Sequence, residues 1–328
     1  MRITSKQLAR ICGVSVGTVD RALNNRPEIN PQTREKILRV SRELGYRPHL
    51  VARSLKTGRT MTVGIVVYDL DNRFFAQLVN AVERVAKESG YFVYLTHSNH
   101  DLAQERDCLE HLAGLNVDGI LIVPTSKGYE FVRFIKSLHA PVVTIGNRIS
   151  QSIPFVGIKD REAMKRAVAF VAQKGYRRIV YVSPPLSYRG KENIYEVEER
   201  LEGFKQGARE NEMDTVVLRE KHFKDSLADA LKNGHVRTAI MCTSDIYALQ
   251  SLEHVSSWGM HVPQDVGLIG FDDIDILKYV KPALTTISYP IQEIALQAFT
   301  FLKRLMEGHE DACPPLLIEA NIVVRESI

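Results

Sequence analysis

Apolar positions recur along this chain with two different periods. Between residues 4 and 45 they fall at helical spacing: Leu8, Ala9 and Ile11 give one short segment an apolar side, Val19, Ala22 and Leu23 a second, and Ile37, Leu38 and Leu44 a third. From Met61 onward, short apolar runs at 61–68, 91–96, 118–123 and 141–145 read as buried parallel strands. Helical stretches separate them. Phe74, Phe75, Leu78, Val79, Val82, Val85 and Ala86 share one face, and 102–115 and 131–138 behave alike. The alternation then resumes as helix 161–174, strand 178–183, helix 196–211, strand 215–218, helix 224–233, strand 237–242, helix 245–258 and strand 265–270. Two successive α/β runs predict two doubly wound subdomains.

The boundaries of the first helices have local causes. Thr4 caps the first, with Gln7 placed to return the bond. Gly13 sits where the chain must turn with positive φ. Ser15 caps the second helix, Asn30 caps the third with Pro31 at its first position, and Gly45 ends it. A helix pair of this size is a device for placing one helix in the major groove of DNA. Val16, Gly17 and Arg21 are left on the outer face of the second helix. Arg21 is suited to a guanine edge, Val16 to a thymine methyl, and Gly17 offers only backbone. Thr4, Ser15, Thr18, Asn24 and Asn30 complete the candidate DNA contacts in this head. Gly13-Val14-Ser15-Val16-Gly17 also matches the G-x-S-x-G pattern of a hydrolase. The segment before it is amphipathic and helical rather than a buried strand, which argues against a nucleophile.

Charge changes the picture in the same direction. Residues 1–60 hold 13 Lys and Arg against 4 Asp and Glu, a net charge of +9, whereas residues 61–328 hold 30 against 35, a net charge of −5. A basic head on an acidic body suits phosphate binding by one small domain. Between them Arg47-Pro48-His49 breaks the helical pattern, and 50–56 can form two basic turns too short to be stable alone. Leu55 could wedge between base steps in the minor groove, with Ala52 beside it. Cys12, Cys108, Cys242 and Cys313 form no C-x-x-C pair and read as reduced thiols, consistent with the cytoplasm. No apolar signal segment or membrane span is visible in the sequence, and no heptad helix follows Val323-Val324-Arg325, so neither export nor a tetramerisation device is expected.

In doubly wound sheets ligands bind outside the carboxyl ends of the strands. Tyr68 and Asp69, Asn147 and Arg148, and Asp272 fall there. Asp272-Asp273-Ile274-Asp275 lacks a complete calcium-loop spacing, so no metal is expected and Asp273 reads as a structural cap. His97 and His100 read as loop or pocket residues, and Glu196-Val197-Glu198-Glu199 as a solvated helical face. With no G-x-G-x-x-G or P-loop fingerprint and no catalytic constellation, neither an enzyme nor a cofactor is expected.

The head resembles the lactose-repressor/galactose-repressor (LacI/GalR) family of bacterial transcription factors. It does so at Gly13-Val14-Ser15, Thr18-Val19, Arg21-Ala22-Leu23-Asn24, Thr33-Arg34, Leu44-Gly45-Tyr46 and Ala52-Arg53-Ser54-Leu55. The body matches at Val63-Gly64-Ile65-Val66, Asn72-Arg73-Phe74-Phe75, Gly203-Phe204, Ser244-Asp245, Gly270-Phe271-Asp272-Asp273 and Leu284-Thr285-Thr286-Ile287. The resemblance implies a homodimer on a pseudo-palindromic double-stranded operator, with Leu55 as the minor-groove wedge. It also implies a periplasmic-binding-protein-like body closing on a small molecule. Phe74 and Phe75 would line the pocket, Arg200 would bond ligand hydroxyls or an anionic group, Asp272 would accept hydrogen bonds from hydroxyls, and Ser244 would occupy a polar pocket position. Three departures stand out: Arg73 where the family often has proline, Gly146 where an aspartate is often found, and Tyr289 where a polar residue is frequent.

The expected architecture is α/β: an all-α helix-turn-helix head over 1–46, a hinge over 47–60 and a ligand-binding body over 61–328. Within the body, one subdomain covers about 61–158 and 288–316 and the other about 159–287 and 317–328. The expected function is a cytoplasmic, dimeric repressor whose operator affinity is set by a small-molecule effector, with induction by a sugar favoured by the resemblance. The alternatives are a purine- or sugar-phosphate-responsive regulator and a sugar-binding protein without a regulatory DNA role.

Overall fold

The computed structural model describes residues 3–23, 26–46, 58–185, 192–232, 236–309 and 314–328. The chain divides into two units, Met1–Thr60 and Met61–Ile328.

In the first unit α1 (Ser5–Cys12), α2 (Val16–Leu23) and α3 (Pro31–Glu43) enclose a small core. The Thr4 hydroxyl accepts from the Gln7 amide at 3.3 Å, and the Gln7 side chain accepts from the Thr4 amide at 2.8 Å, closing a capping box. Gly13 turns the chain with φ +68°. The Ser15 hydroxyl accepts from the Thr18 amide at 3.1 Å, and the Asn30 carbonyl oxygen from the Gln32 amide at 2.9 Å. The core holds Leu8, Ala9, Cys12, Val19, Ala22 and Ile37, with Val40 and Tyr46 against them. Three expected core residues lie outside it: Ile11 is 54% and Leu44 39% exposed, and Leu38 is half-buried. Cys12 takes the place expected of Ile11, and Val40 and Tyr46 that of Leu44. Asn24, Ala52 and Leu55 lie outside the described residues, as does the segment expected to be a hinge helix.

The second unit runs β1 (Thr62–Val67), α4 (Arg73–Glu88), β2 (Phe92–His97), α5 (Leu102–Gly114), β3 (Gly119–Ile122), α6 (Tyr129–Ser137), β4 (Val142–Ile145) and β5 (Phe155–Ile158). It continues α7 (Asp160–Gln173), β6 (Arg178–Val182), α8 (Tyr195–Glu210), β7 (Asp214–Leu218), α9 (Lys224–Leu231), β8 (Thr238–Cys242), α10 (Asp245–Ser257) and β9 (Gly267–Asp272). After a 3-10 turn (Asp275–Tyr279) come β10 (Thr285–Ser288), α11 (Ile291–Met306), β11 (Leu316–Ile318) and β12 (Asn321–Val323).

These strands form two six-stranded sheets. The first has the order β11-β5-β4-β3-β1-β2 and is parallel throughout. The second has the order β12-β10-β9-β8-β6-β7, with β12 alone antiparallel. Central strands β3, β6 and β8 are buried along their whole length, which is why they read as unbroken apolar runs. Each Val or Ile so buried contributes roughly 1.5–3 kcal/mol. Strand β2 departs from that expectation: it is a sheet edge, with Phe92 73% exposed and Tyr94 and Leu95 also exposed.

The chain passes between the sheets after β5, after β10 and after β11. The third passage follows Ile318, because Leu316, Leu317 and Ile318 pair with Val156, Gly157 and Ile158 of the first sheet. The sequence placed that passage two residues earlier. Helices α7 and α8 lie close beneath the second sheet. A Cβ on Gly203 would stand 2.2 Å from the Arg161 carbonyl oxygen, so only glycine allows this approach.

Candidate functional site

At the start of α2 the first unit presents an outward surface with donor chemistry. Ser15, Val16 and Gly17 are exposed at the start of α2, and Thr18 and Arg21 are half-buried beside them. The Ser15 and Thr18 hydroxyls bond each other at 2.9 Å. Arg21 makes one loose ion pair, 3.9 Å to exposed Glu28, which leaves its guanidinium available to a better partner. Thr4 and Asn30 are committed to helix caps.

The second unit carries a cleft of about 1280 Å³ at the carboxyl ends of both sets of strands. Seven of the eight residues predicted for it are among its lining: Tyr68, Phe74, Phe75, Asn147, Arg200, Ser244 and Asp272. Arg148 is not. It is half-buried, and its carbonyl accepts from Asn193 Nδ2 at 3.1 Å. His100 also lines the cleft; His97 does not.

Aromatic rings build one wall. Phe74 and Phe75 open α4, whose first amides are capped by Asn72, and their rings meet edge-on at 5.1 Å. Tyr68 lies between Phe75 and His100, with both ring centroids 4.6 Å from its own. Tyr289 extends the group by an edge contact with Phe74 at 4.9 Å. Burial raises the Tyr68 and Tyr289 hydroxyls well above the ordinary tyrosine value, so both remain protonated donors.

Beside the rings lies a buried charged cluster. Arg200 is buried on α8, with its guanidinium 3.7 Å from the centre of the Phe271 ring. Its Nε donates to Asp160 Oδ1 at 2.7 Å and its Nη1 to the Thr243 carbonyl at 2.7 Å. Asp272 Oδ1 stands 3.6 Å from Nη1, and Glu196 Oε1 3.9 Å from Nη2. Burial pushes all three carboxyls up from their ordinary values while the Arg200 charge pulls them down. Asp272 also holds an unusual backbone, with φ +114°.

Polar bonds cross the cleft between subdomains. Asn147 Oδ1 accepts from the Glu196 amide at 3.2 Å, and its Nδ2 donates to the Pro124 carbonyl at 3.3 Å. The Asn147 carbonyl oxygen therefore joins the subdomains, while its NH2 group is tied to its own subdomain. The Asn193 amide donates to the Thr125 carbonyl at 2.6 Å. Buried Glu105 fixes the same segment from behind, accepting from the amides of Thr125 and Ser126 at 2.5 and 2.9 Å. On the other side, Arg73 clasps Asp275 through two bonds of 2.6 and 2.5 Å, and Gln77 Oε1 accepts from the Asp275 amide at 3.0 Å.

Residues 4–49 match the family described as bacterial regulatory proteins, lacI family, and residues 168–328 match the periplasmic binding protein-like domain. The transcriptional regulator RegA of Clostridium saccharobutylicum is 30% identical over 339 residues, covering 100% of this chain and 99% of its own. The chain belongs to the lacI family of bacterial regulatory proteins. Two solved structures share its fold. The lac repressor dimer bound to operator and the anti-inducer ONPF has a TM-score of 0.86 at 21% identity, covering 100% of this chain and 99% of that one. A periplasmic binding protein/LacI transcriptional regulator from Alkaliphilus metalliredigens, complexed with D-xylulofuranose, has a TM-score of 0.70 at 25% identity, covering 81% and 98%.

As a lacI-family member the chain is a DNA-binding transcriptional regulator and not an enzyme. Its departures from the family pattern fall together in the cleft region: Arg73 in the clasp, Gly146 beside Glu196, and Tyr289 with its hydroxyl 3.5 Å from Glu196 Oε1. Two expectations need correction. Glu196 is mostly buried and lines the cleft, so the run 196–199 is not a solvated face; only Glu198 is exposed, and Glu199 pairs with Arg161 at 2.6 Å. Asp273 is bound by Arg325 at 2.6 Å rather than by side-chain capping. Sequence reasoning missed Asp160 and Asn193 altogether.

Proposed function

We propose that this chain is a dimeric cytoplasmic repressor that binds operator DNA through its head and releases it when a sugar fills the cleft. The cleft carries this reading: Tyr68, Phe74 and Phe75 line it together with Arg200, Asp272 and Ser244. A sugar ring offers apolar faces to aromatic rings and hydroxyls to charged groups. The relative complexed with D-xylulofuranose supports a ligand of this kind.

On the DNA, Arg21 reads a base edge and Val16 a thymine methyl. Ser15, Gly17, Thr18 and Asn24, with Thr4 and Asn30 at the helix caps, complete the DNA-contacting surface, while Ala52 and Leu55 act in the minor groove. Switching follows from linkage. A ligand shifts the subdomain arrangement only by as much as it binds one arrangement better, and it changes operator affinity by the same factor that operator changes its own.

The test is operator binding by fluorescence anisotropy with D-xylulose, D-ribose and D-glucose, alongside calorimetry on the full chain. One sugar is expected to bind and to weaken operator binding at least tenfold, and Asp272→Ala to lose that response while keeping DNA affinity. A sugar that tightens operator binding would make the protein a co-repressor system, and an intact response in Asp272→Ala would remove that residue from the pocket.

A further inference from the structure

The charges that face the cleft do not balance. Arg200 is surrounded by Asp160, Glu196 and Asp272, three carboxylates against one guanidinium, and only Asp160 receives a hydrogen bond from it. Asp272 is 5% exposed, lines the cleft, and accepts no hydrogen bond through its carboxylate from any described residue. The Thr125 hydroxyl, buried in the same lining, is also without a partner among the described residues. Lys221, the one other lysine or arginine among the described lining residues, is exposed and does not offset this.

Glu196 owes its position to Gly146. A Cβ on Gly146 would stand 2.5 Å from Glu196 Oε1 and 2.9 Å from its Cδ, and Gly146 itself has φ +73°. The space left by the missing side chain of the first subdomain is filled by a carboxylate reaching across from α8 of the second. Beyond Arg200, its side-chain partner is the Tyr289 hydroxyl at 3.5 Å.

We infer that Glu196, seated against Gly146, sets the specificity of the cleft together with Asp272: the effector is uncharged or cationic, presents hydroxyl or amine donors to these two carboxylates, and carries no phosphate or carboxylate. This rests on the reading of the cleft as the effector site, and it separates the sugar from the sugar-phosphate alternative. An anionic group placed here would meet two under-compensated carboxylates in a site largely removed from water, where like charges repel strongly. A donor-rich group would instead supply the bonds that Asp272 and Glu196 lack.

The test has two arms on the full-length protein. Calorimetry compares matched probes: D-ribose with D-ribose 5-phosphate, D-glucose and D-glucosamine with D-glucose 6-phosphate, and inorganic phosphate alone at equal ionic strength. The unphosphorylated member of a pair is expected to bind at least about 100-fold more tightly, and Glu196→Gln to shrink that ratio to tenfold or less. A phosphorylated sugar or inorganic phosphate binding as tightly as its partner overturns the inference. The second arm needs no ligand. Because the two carboxylates repel each other, Glu196→Gln and Asp272→Asn should each raise the Tm of the free protein at neutral pH by about 2–4 °C. If neither raises it, the charge inference fails. Silence from every sugar together with raised Tm values would count against the sugar reading alone.

Discussion

Asp245 shows what a single buried acid does to this molecule. Its carboxylate is wholly buried and accepts from the Thr286 hydroxyl at 2.6 Å and the Ile274 amide at 2.9 Å. Burial outweighs these bonds and pushes the carboxyl up to about 7, from an ordinary value of 3.8. Between those values the folded protein holds a proton that the unfolded chain has lost, so stability falls as pH rises from about 4 to about 7. Groups held below their ordinary values, such as Asp275 beside Arg73 and Glu319 beside Lys159 and Arg166, act at lower pH. The Tm is therefore expected to drop between about pH 5 and pH 7.5, and Asp245→Asn to flatten that slope. A slope equal to the wild type's would assign the dependence to other groups. Glu196 teaches a different lesson at this scale. Three acids in four positions suggest a solvated face, but Glu196, Arg200, Gly203 and Gly207 recur at helical spacing, and Gly203 lies on the side of α8 packed against α7. The face was legible in the spacing; charge composition obscured it.

Between elements, the clasp from the start of α4 to the 3-10 turn is the contact whose removal has the simplest consequence. Arg73 and Asp275 are about half exposed, so solvent screening keeps the pair weak despite its two-bond geometry. Asp275→Asn should thus cost the joined arrangement up to about fivefold in population. A ligand that favours this arrangement would then bind up to about fivefold more weakly, with a larger radius of gyration by small-angle scattering. High salt should erase the difference. Unchanged scattering and affinity at low salt would show that the Asn147–Glu196 side alone holds the subdomains. Most long elements were legible in the sequence because their apolar positions repeat over several turns or fill whole strands, although the 16-residue helix α11 was not read. Strands β5, β10, β11 and β12 were not. Each has only three or four residues, and β10 carries Thr285 and Thr286, whose hydroxyls find partners only in the folded protein: Thr286 donates to Asp245, and Thr285 accepts from the Arg325 amide. The cleft was half legible for a related reason. Strand ends point to Tyr68, Asn147 and Asp272, while Asn193 becomes a cleft residue only through contacts between subdomains, and Asp160 matters only as the buried partner of Arg200.

At the scale of the whole molecule, the exposed edge of the first sheet meets the proposed dimer. Strand β2 ends that sheet with Phe92, Tyr94 and Leu95 exposed, an apolar edge of the kind proteins normally cover or charge. A second copy related by a two-fold axis would bring the same strand against itself, since such contacts are self-complementary. Aromatic side chains bury roughly 150–250 Å² each when fully covered, and with Phe92 73% and Tyr94 47% exposed, the two from each copy would supply on the order of 400–600 Å² of a standard interface. Tyr94→Lys places like charges opposite one another across that axis. It is expected to shift the protein from dimer to monomer in sedimentation velocity. Operator affinity should fall by at least about 100-fold, because two heads on one dimer bind with the advantage of effective concentration that separate heads lack. Ligand affinity should stay within about twofold, since Tyr94 is not part of the cleft lining. A Tyr94→Lys protein that remains dimeric and holds operator as before would move the dimer contact off β2, whereas a monomer that keeps full operator affinity would mean that one head suffices.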